Sequence, residues 1–298
     1  MQVICRMVNM FNKRDQLFLN RMENFITAFE TNELRKRNIY IRMQNRKICN
    51  NKVLEYAFIL LQTGMSWKQL QYVVKDDSIH YQTVYKRFSN WEKYGILNQA
   101  WKHVLEKYVS SRLSKNAFYF KDLYIDTTTI KNIGGKDCTG SNPTDRGRLG
   151  TKVSIIMDKS KVAISEPVMF PANIHDSKTV DRTLDSIPLK LNIDGRMVTR
   201  IAADKAYNSK PLAERMNVRK IRIVTKPKKN ARNPEHVRIK DMSMFKKRIY
   251  IEHYFGIMKR LKRLRIRMDS FEGMYKSFWL FAMARQTFVS LNTNMTNI

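Results

Sequence analysis

The stretch FYFKDLYIDTTTI, residues 118–130, decides the fold. Its aromatic and β-branched residues run on at strand length, whereas the chain before it is paced at helical spacing. One acid, Asp126, sits between Ile125 and a row of threonines, and a carboxylate in such company is costly unless it is solvated, paired or bound to metal. Four runs of the same texture follow: TKVSIIMD (151–158), VAISEPVMF (162–170), MVTRIAAD (197–204) and IRIVTK (221–226). HDSKTVDRTLDSI (175–187) has helical spacing with Asp176 or Ser177 as its cap, and PLAERMNVRK (211–220) is a shorter helix opened by Pro211. The order strand, strand, strand, helix, strand, helix, strand predicts a mixed α/β domain over residues 113–298. It closes with a long basic helix in RIYIEHYFGIMKRLKRLRIR (248–267). Between the first two strands, NIGGKDCTGSNPTDRGRLG (132–150) reads as a mobile loop. It lacks the Gly-Lys-Ser/Thr ending of a nucleotide-binding P-loop.

Upstream, residues 46–112 carry apolar side chains at three- and four-residue spacing, as in Val53, Tyr56, Ala57, Leu60 and Leu61. Gly64 is a helix stop and Ser66 a cap for the next helix. SIHYQTVYKRFSNWEKYG (78–95) is a further basic helix bearing Tyr81, Tyr85, Phe88 and Trp91. A DNA-reading helix-turn-helix and a plain bundle with a wet basic face fit this pattern equally well. Residues 1–45 form an extension for which a dimerisation arm, an enlargement of the DNA-binding unit and a passive leader all remain open.

Charge narrows the partners. The 298 residues hold 56 Lys and Arg against 26 Asp and Glu, a formal net charge of +30 with a pI near 10.2, which favours a polyanion such as nucleic acid. Cys5, Cys49 and Cys138 are too few and too scattered for a disulfide framework or a Cys-based metal site, so a reducing compartment is expected. The longest apolar runs, YAFILL and FWLFAMA, fall far short of the ~20 residues a bilayer requires. The expectation is an intracellular protein without a membrane partner, cytoplasmic, nucleoid-associated or nuclear according to its host.

Two further acids stand out. Asp204 ends the strand run RIAAD, and Glu252 is the lone acid of the basic helix. Asp126, Asp204 and Glu252 are separated by 78 and 48 residues, so only tertiary structure can unite them. Such a trio offers hard oxygen ligands to magnesium or manganese. Two such ions about 4 Å apart activate a water or a 3′-hydroxyl and stabilise the leaving oxygen at a phosphodiester. On a continuous helix at 100° per residue, Phe245, Arg248, Glu252 and Lys259 fall within roughly 40° of one line. Tyr254, Met258, Leu261 and Leu264 form a separate apolar stripe for the sheet. For Arg248 and Lys259 the plain reading is a helical ion pair and a solvated cation; the functional one is a phosphate clamp beside the acids.

At these residues the sequence resembles the DDE transposases of bacterial-type insertion sequences, in the insertion sequence four/five superfamily. Their signature of Tyr, two residues, Arg, three residues, Glu, six residues, Lys is matched by Phe245, Arg248, Glu252 and Lys259, with Phe in place of Tyr. YIDTTTI is similar to the family's first-acid strand and IAADKAYNS to its second-acid segment, with Ala206 in place of Gly. LGTKVSIIMD is similar to a Gly-x-Lys strand, and SEPVMFPANIHDS to a segment ending His-Asp-Ser. LLQTGMSWKQLQ with TVYKRFSNWEKYGIL resembles the helical DNA-binding region that precedes the catalytic domain. The resemblance spans about residues 50 to 290.

It implies an RNase H-like catalytic domain behind an all-helical DNA-binding region, with Asp126, Asp204 and Glu252 as catalytic, metal-holding residues for two Mg2+ or Mn2+ ions. It also implies cut-and-paste transposition through nicking and strand transfer. The implied partners are double-stranded DNA, as terminal inverted repeats and as target, and a second copy of the chain, since two ends must be processed together. Around the acids, Arg248, Lys259, Lys152, Lys205, Tyr207, Lys226, Lys228, Arg260 and Arg263 are the expected DNA and phosphate contacts, although Tyr207 fits a turn residue as well. His175 and Asp176 could join the metal environment, Asp176 more simply as a helix cap. A domesticated, non-catalytic DNA-binding descendant is the rival reading, and retention of the acids with Arg248 and Lys259 weighs against it.

Overall fold

The computed structural model describes residues 11–36, 48–73, 79–113, 122–188, 199–226 and 239–293. Helices come first: α1 (Lys13–Lys36), α2 (Asn50–Thr63), a 3-10 turn (Lys68–Tyr72), α3 (Tyr81–Lys93) and α4 (Ile96–Leu113). Gly64 ends α2 in the left-handed region at φ +70°, where its amide donates to the Leu60 carbonyl. Ser66 and Gln69 then bond reciprocally across the start of the 3-10 turn, a capping box.

The strands expected from the sequence are all present: β1 (Asp122–Asn132), β3 (Leu149–Asp158), β4 (Val168–Pro171), β5 (Thr199–Ala202) and β6 (Ile221–Val224). Two short additions, β2 (Gly140–Ser141) and β7 (Ile266–Arg267), pair with β3 and β1. β1, β3 and β4 are antiparallel neighbours, while β5 and β6 lie parallel to β1 on its other side. The path through the sheet is β2-β3-β1-β5-β6, with β4 against β3 and β7 against β1. This mixed sheet, flanked by helices α5 (Val180–Asp185), α6 (Lys210–Val218), α7 (Ile239–Lys246) and α8 (Ile249–Arg260), has RNase H-like topology.

Three sequence expectations need correction. The helix expected through 248–267 breaks at Leu261, whose ψ of 105° is extended; a one-turn α9 (Lys262–Arg265) and β7 follow. Phe245 belongs to the preceding helix α7 rather than to the Glu252 helix, because α7 stops at Lys246. The glycine-rich segment after β1 is anchored rather than loose. Asn132 and Gly135 bond each other, and Gly134 passes so near the Met268 carbonyl that a Cβ there would stand 2.2 Å from it.

The core runs without interruption from the helical region into the sheet domain. Its spine is α10 (Glu272–Thr293), where every residue from Ser277 to Ala284 is buried, the pattern of a helix covered on all sides. α10 packs against α4, α3 and α1 and also touches β4 and α9. Arg263 completes the joint. It was expected to meet DNA, yet it is 1% exposed. Its guanidinium donates to both Asp269 carboxylate oxygens (3.1 and 2.5 Å) and to the Met65 carbonyl (2.7 Å), and it lies over the Phe278 and Trp67 rings. A cation so enclosed has no surface left for a phosphate. Arg263→Met, which strands Asp269 as an unpaired buried charge, should lower unfolding stability by about 3–5 kcal/mol in urea titrations. The affinity of the folded variant for duplex DNA should stay at the wild-type level.

Candidate active site

β1 outruns β5. Their parallel register stops at Tyr124↔Ala202, while β1 continues against β3 as far as Lys131↔Gly150. Asp126 lies just past the end of that parallel pairing. Asp204 caps the short turn Lys205–Tyr207 that follows β5, accepting from the Lys205 amide at 2.7 Å. The two acids are close enough for Asp204 to raise the carboxyl pKa of Asp126. Glu252 reaches in from the first turn of α8, which lies over β1.

Arg248 joins the acids. Its guanidinium donates to Asp126 Oδ2 at 3.1 Å and, through another nitrogen, to Glu252 Oε1. The other Asp126 oxygen accepts from the Thr127 amide at 2.9 Å. Phe245, though on α7, keeps its ring 5.8 Å from the Arg248 guanidinium and 4.8 Å from the exposed Lys226 ammonium, so its face supports both cations. Burial pushes the Asp126 carboxyl up to about 6; the Thr127 amide and Arg248 pull the other way, and Asp176 and Asp204 add to the rise. Among the described residues no three acid, His or Cys side chains are arranged to hold one metal ion. The donors are nevertheless of the right type, and a positive group, the Arg248 guanidinium, already sits shared between Asp126 and Glu252.

The remaining predicted contacts divide. Lys205 and Arg260 are exposed, and Lys259 is half-buried, its ammonium pKa lowered by burial and by neighbouring Arg265. Lys228 lies outside the described residues. Tyr207 is 1% exposed, so its ring is core rather than DNA surface; burial, with Asp126 and Asp176 nearby, pushes its hydroxyl pKa up. Lys152 is likewise buried. Its ammonium donates to Asp176 Oδ1 at 2.6 Å and to the Ile174 carbonyl at 2.5 Å, which turns it inward from any phosphate. Asp176 is not the cap it was expected to be: His175 accepts from the Ser177 amide, and the Asp176 carboxylate accepts instead from Thr127 Oγ1 at 2.8 Å. This link escaped the sequence reading. Its trace there was a single lysine inside the otherwise uncharged run TKVSIIM, a cation in need of a partner.

The mixed sheet thus carries Asp126 where its central strand outruns a parallel neighbour, with Asp204 close by and Arg248 shared between Asp126 and Glu252. Residues 121–286 match the model of the transposase DDE domain, and the chain belongs to that family. A transposase for insertion sequence element IS402 from Burkholderia cepacia is 27% identical over 147 residues, a stretch covering 48% of this chain and 65% of that relative. The synaptic complex of piggyBac transposase with hairpin DNA aligns over 92% of this chain and 74% of its own, at 13% identity and a TM-score of 0.43. The Mos1 strand transfer complex aligns over 85% and 81%, at 12% identity and a TM-score of 0.26. No helix among the described residues is long and apolar enough to cross a membrane.

The raised Asp126 pKa carries a stability consequence. With a folded value of about 6 against the ordinary 3.8, the folded state holds this proton more tightly than the unfolded chain does. The stabilising contribution is complete below about pH 4 and is lost as pH rises through about 6, leaving a buried ionised carboxylate at a cost on the order of 3 kcal/mol. In metal-free protein, Asp126→Asn should therefore gain stability over wild type between pH 4 and 6, plateau above, and show no advantage at pH 4. Urea denaturation across that range measures it, and a pH-independent difference would contradict the burial argument.

Proposed function

We propose that the protein is an active DNA transposase of the insertion sequence four/five type, which hydrolyses phosphodiester bonds at the ends of its own element and joins the freed strand to target DNA. The observation that carries this reading is the meeting of Asp126 and Glu252, from distant parts of the chain, on the Arg248 guanidinium, with Asp204 near Asp126. Asp126, Asp204 and Glu252 would hold two Mg2+ or Mn2+ ions. Bound there, such ions supply the activation of a water or 3′-hydroxyl and stabilisation of the leaving oxygen.

The chain's own groups set up the rest. The Thr127 amide fixes the rotation of the Asp126 carboxylate. Arg248, released from its two carboxylates, has the planar donor fork suited to a phosphate, and the Phe245 face keeps it at the site. Exposed Lys205, Lys226 and Arg260 neutralise backbone charge without reading bases. The ligands are duplex terminal repeats and target DNA, bound by a pair of protomers. A non-catalytic DNA-binding descendant is the second reading, favoured by the lack of a three-ligand metal geometry among the described residues.

Incubation with labelled terminal-repeat duplex and Mn2+ separates the two. Nicking is expected from wild type and should vanish, by at least about a hundredfold, in Asp126→Asn, Asp204→Asn and Glu252→Gln, while duplex binding persists and weakens steeply with salt. Undiminished nicking in all three variants refutes the site; tight binding without any cutting by wild type supports the descendant.

A further inference from the structure

We infer that Lys152 and Asp176 are positioning residues that set the orientation of Asp126 through Thr127, a role that rests on Asp126 being an acid of the reacting site. Beyond Tyr124↔Ala202, among the described residues, β1 has no paired strand on its β5 side until Lys131 meets Ile266 in β7. Residues 125–130 are thus held laterally by β3 alone, and Asp126 lies in that gap.

Thr127 supplies the missing restraint. Its hydroxyl donates to Asp176 Oδ1 at 2.8 Å, and the same oxygen accepts from Lys152 Nζ at 2.6 Å. Lys152 comes from β3, one register pair away from the partner of Thr128, and is buried. Its second bond, to the Ile174 carbonyl, ties it to the backbone just before the Asp176 turn. That turn is itself braced by the Thr179 hydroxyl on the Asp176 carbonyl at 2.8 Å and by His175 as its cap. The ammonium therefore fixes Asp176, Asp176 fixes the Thr127 side chain, and the Thr127 amide donates to Asp126 Oδ1 at 2.9 Å. One residue separates the ion pair from the acid it orients.

The Gly-x-Lys and His-Asp-Ser segments, far apart in sequence, thereby meet beneath the first acid. Lys152 also balances the charge of Asp176, so that another carboxylate stands near Asp126 and Asp204 without leaving the group uncompensated. Catalytic geometry is unforgiving at this scale, since displacement by about 1 Å costs roughly a hundredfold in rate.

Thr127→Val keeps the amide and the shape but removes the hydroxyl, and Thr127→Ser restores it. With terminal-repeat duplex bound, Thr127→Val and Asp176→Asn should each raise the Mn2+ concentration for half-saturation, read by electron paramagnetic resonance, by about tenfold and slow nicking by about a hundredfold. Thr127→Ser should return both to near wild type. The double variant Lys152→Met/Asp176→Leu replaces the ion pair by apolar bulk; it should regain the wild-type melting temperature but not the Mn2+ affinity. If Thr127→Val binds Mn2+ as wild type does, or if the double variant recovers Mn2+ affinity along with stability, the pair is only packing and the inference is overturned. The Mn2+ titration reads the inference even when no strand is cut, whereas a wild type that binds Mn2+ but never nicks counts against the proposed function alone. A wild type that binds no Mn2+ overturns both.

Discussion

The site depends on a mismatch in length between neighbouring strands. β1 spans eleven residues but its pairing with β5 ends at Tyr124↔Ala202, so the central strand of the sheet loses one of its ladders about a quarter of the way along. Backbone groups on that side must find other partners or face solvent, and side chains placed there meet an opening instead of another strand. In an open sheet with parallel strands, the crevice beyond the carboxyl ends of those strands is where ligands bind. Asp126 borders that opening from β1 and Asp204 from the turn after β5, while α8 crosses β1 with Glu252 in its first turn. Were β5 as long as β3, its ladder would fill the space in which the acids gather.

Charge is distributed to the same end. With 26 acids against 56 bases, most buried or half-buried cations among the described residues are nevertheless paired with an acid. Asp269 holds Arg263, Asp137 holds Arg267, and Asp241 holds both Arg200 and Arg222. Several of these pairs fasten the helical region to the sheet domain. Asp15 of α1 meets Arg285 of α10, and Glu166, between β3 and β4, meets Lys102 of α4 and Lys276 of α10. The pairs Asp15–Arg285 and Glu166–Lys102 set an acid of one region against a cation of the other, and in each pair, Glu166–Lys276 included, the carboxylate is the more enclosed partner. Acids committed to structure in this way cannot serve phosphate chemistry. Glu252 differs: its side chain remains half-exposed although Arg248 touches it.

The fold was largely legible because its strands announce themselves by β-branched runs and its helices by spacing; Asp126, Asp204 and Glu252 stood out as acids in apolar or basic company. What sequence could not convey was which cations turn inward. Arg263, Arg265 and Arg267 look alike in RLKRLRIR, but the break at Leu261 and the extended β7 reverse the helical geometry assumed for them. Arg263 and Arg267 are consequently buried while Arg265 stays outside. Lys152 and Tyr207 misled because a polar tip beside the acids suggests a ligand contact, whereas the fold gives the Lys152 ammonium a carboxylate and a carbonyl of its own and packs Tyr207 into the core. Asp176 followed the local rule for a cap, and a tertiary bond to Thr127 outcompeted it.

Phe245 keeps its place beside Arg248 through its ring alone. The residue sits on a different helix from Arg248 and Glu252, joined by a tight turn in which the Arg248 amide donates to the Phe245 carbonyl. Its ring, not a phenolic oxygen, is what faces Arg248 and Lys226, and an aromatic face attracts cations whether or not the ring bears a hydroxyl. Arg248 needs such support because it is divided between two carboxylates from different elements. Its planar fork can span them, as a point-charge ammonium cannot without giving up the paired geometry. The ring, the guanidinium and the acids therefore form one assembly, in which the cation between Asp126 and Glu252 marks the place where positive charge belongs.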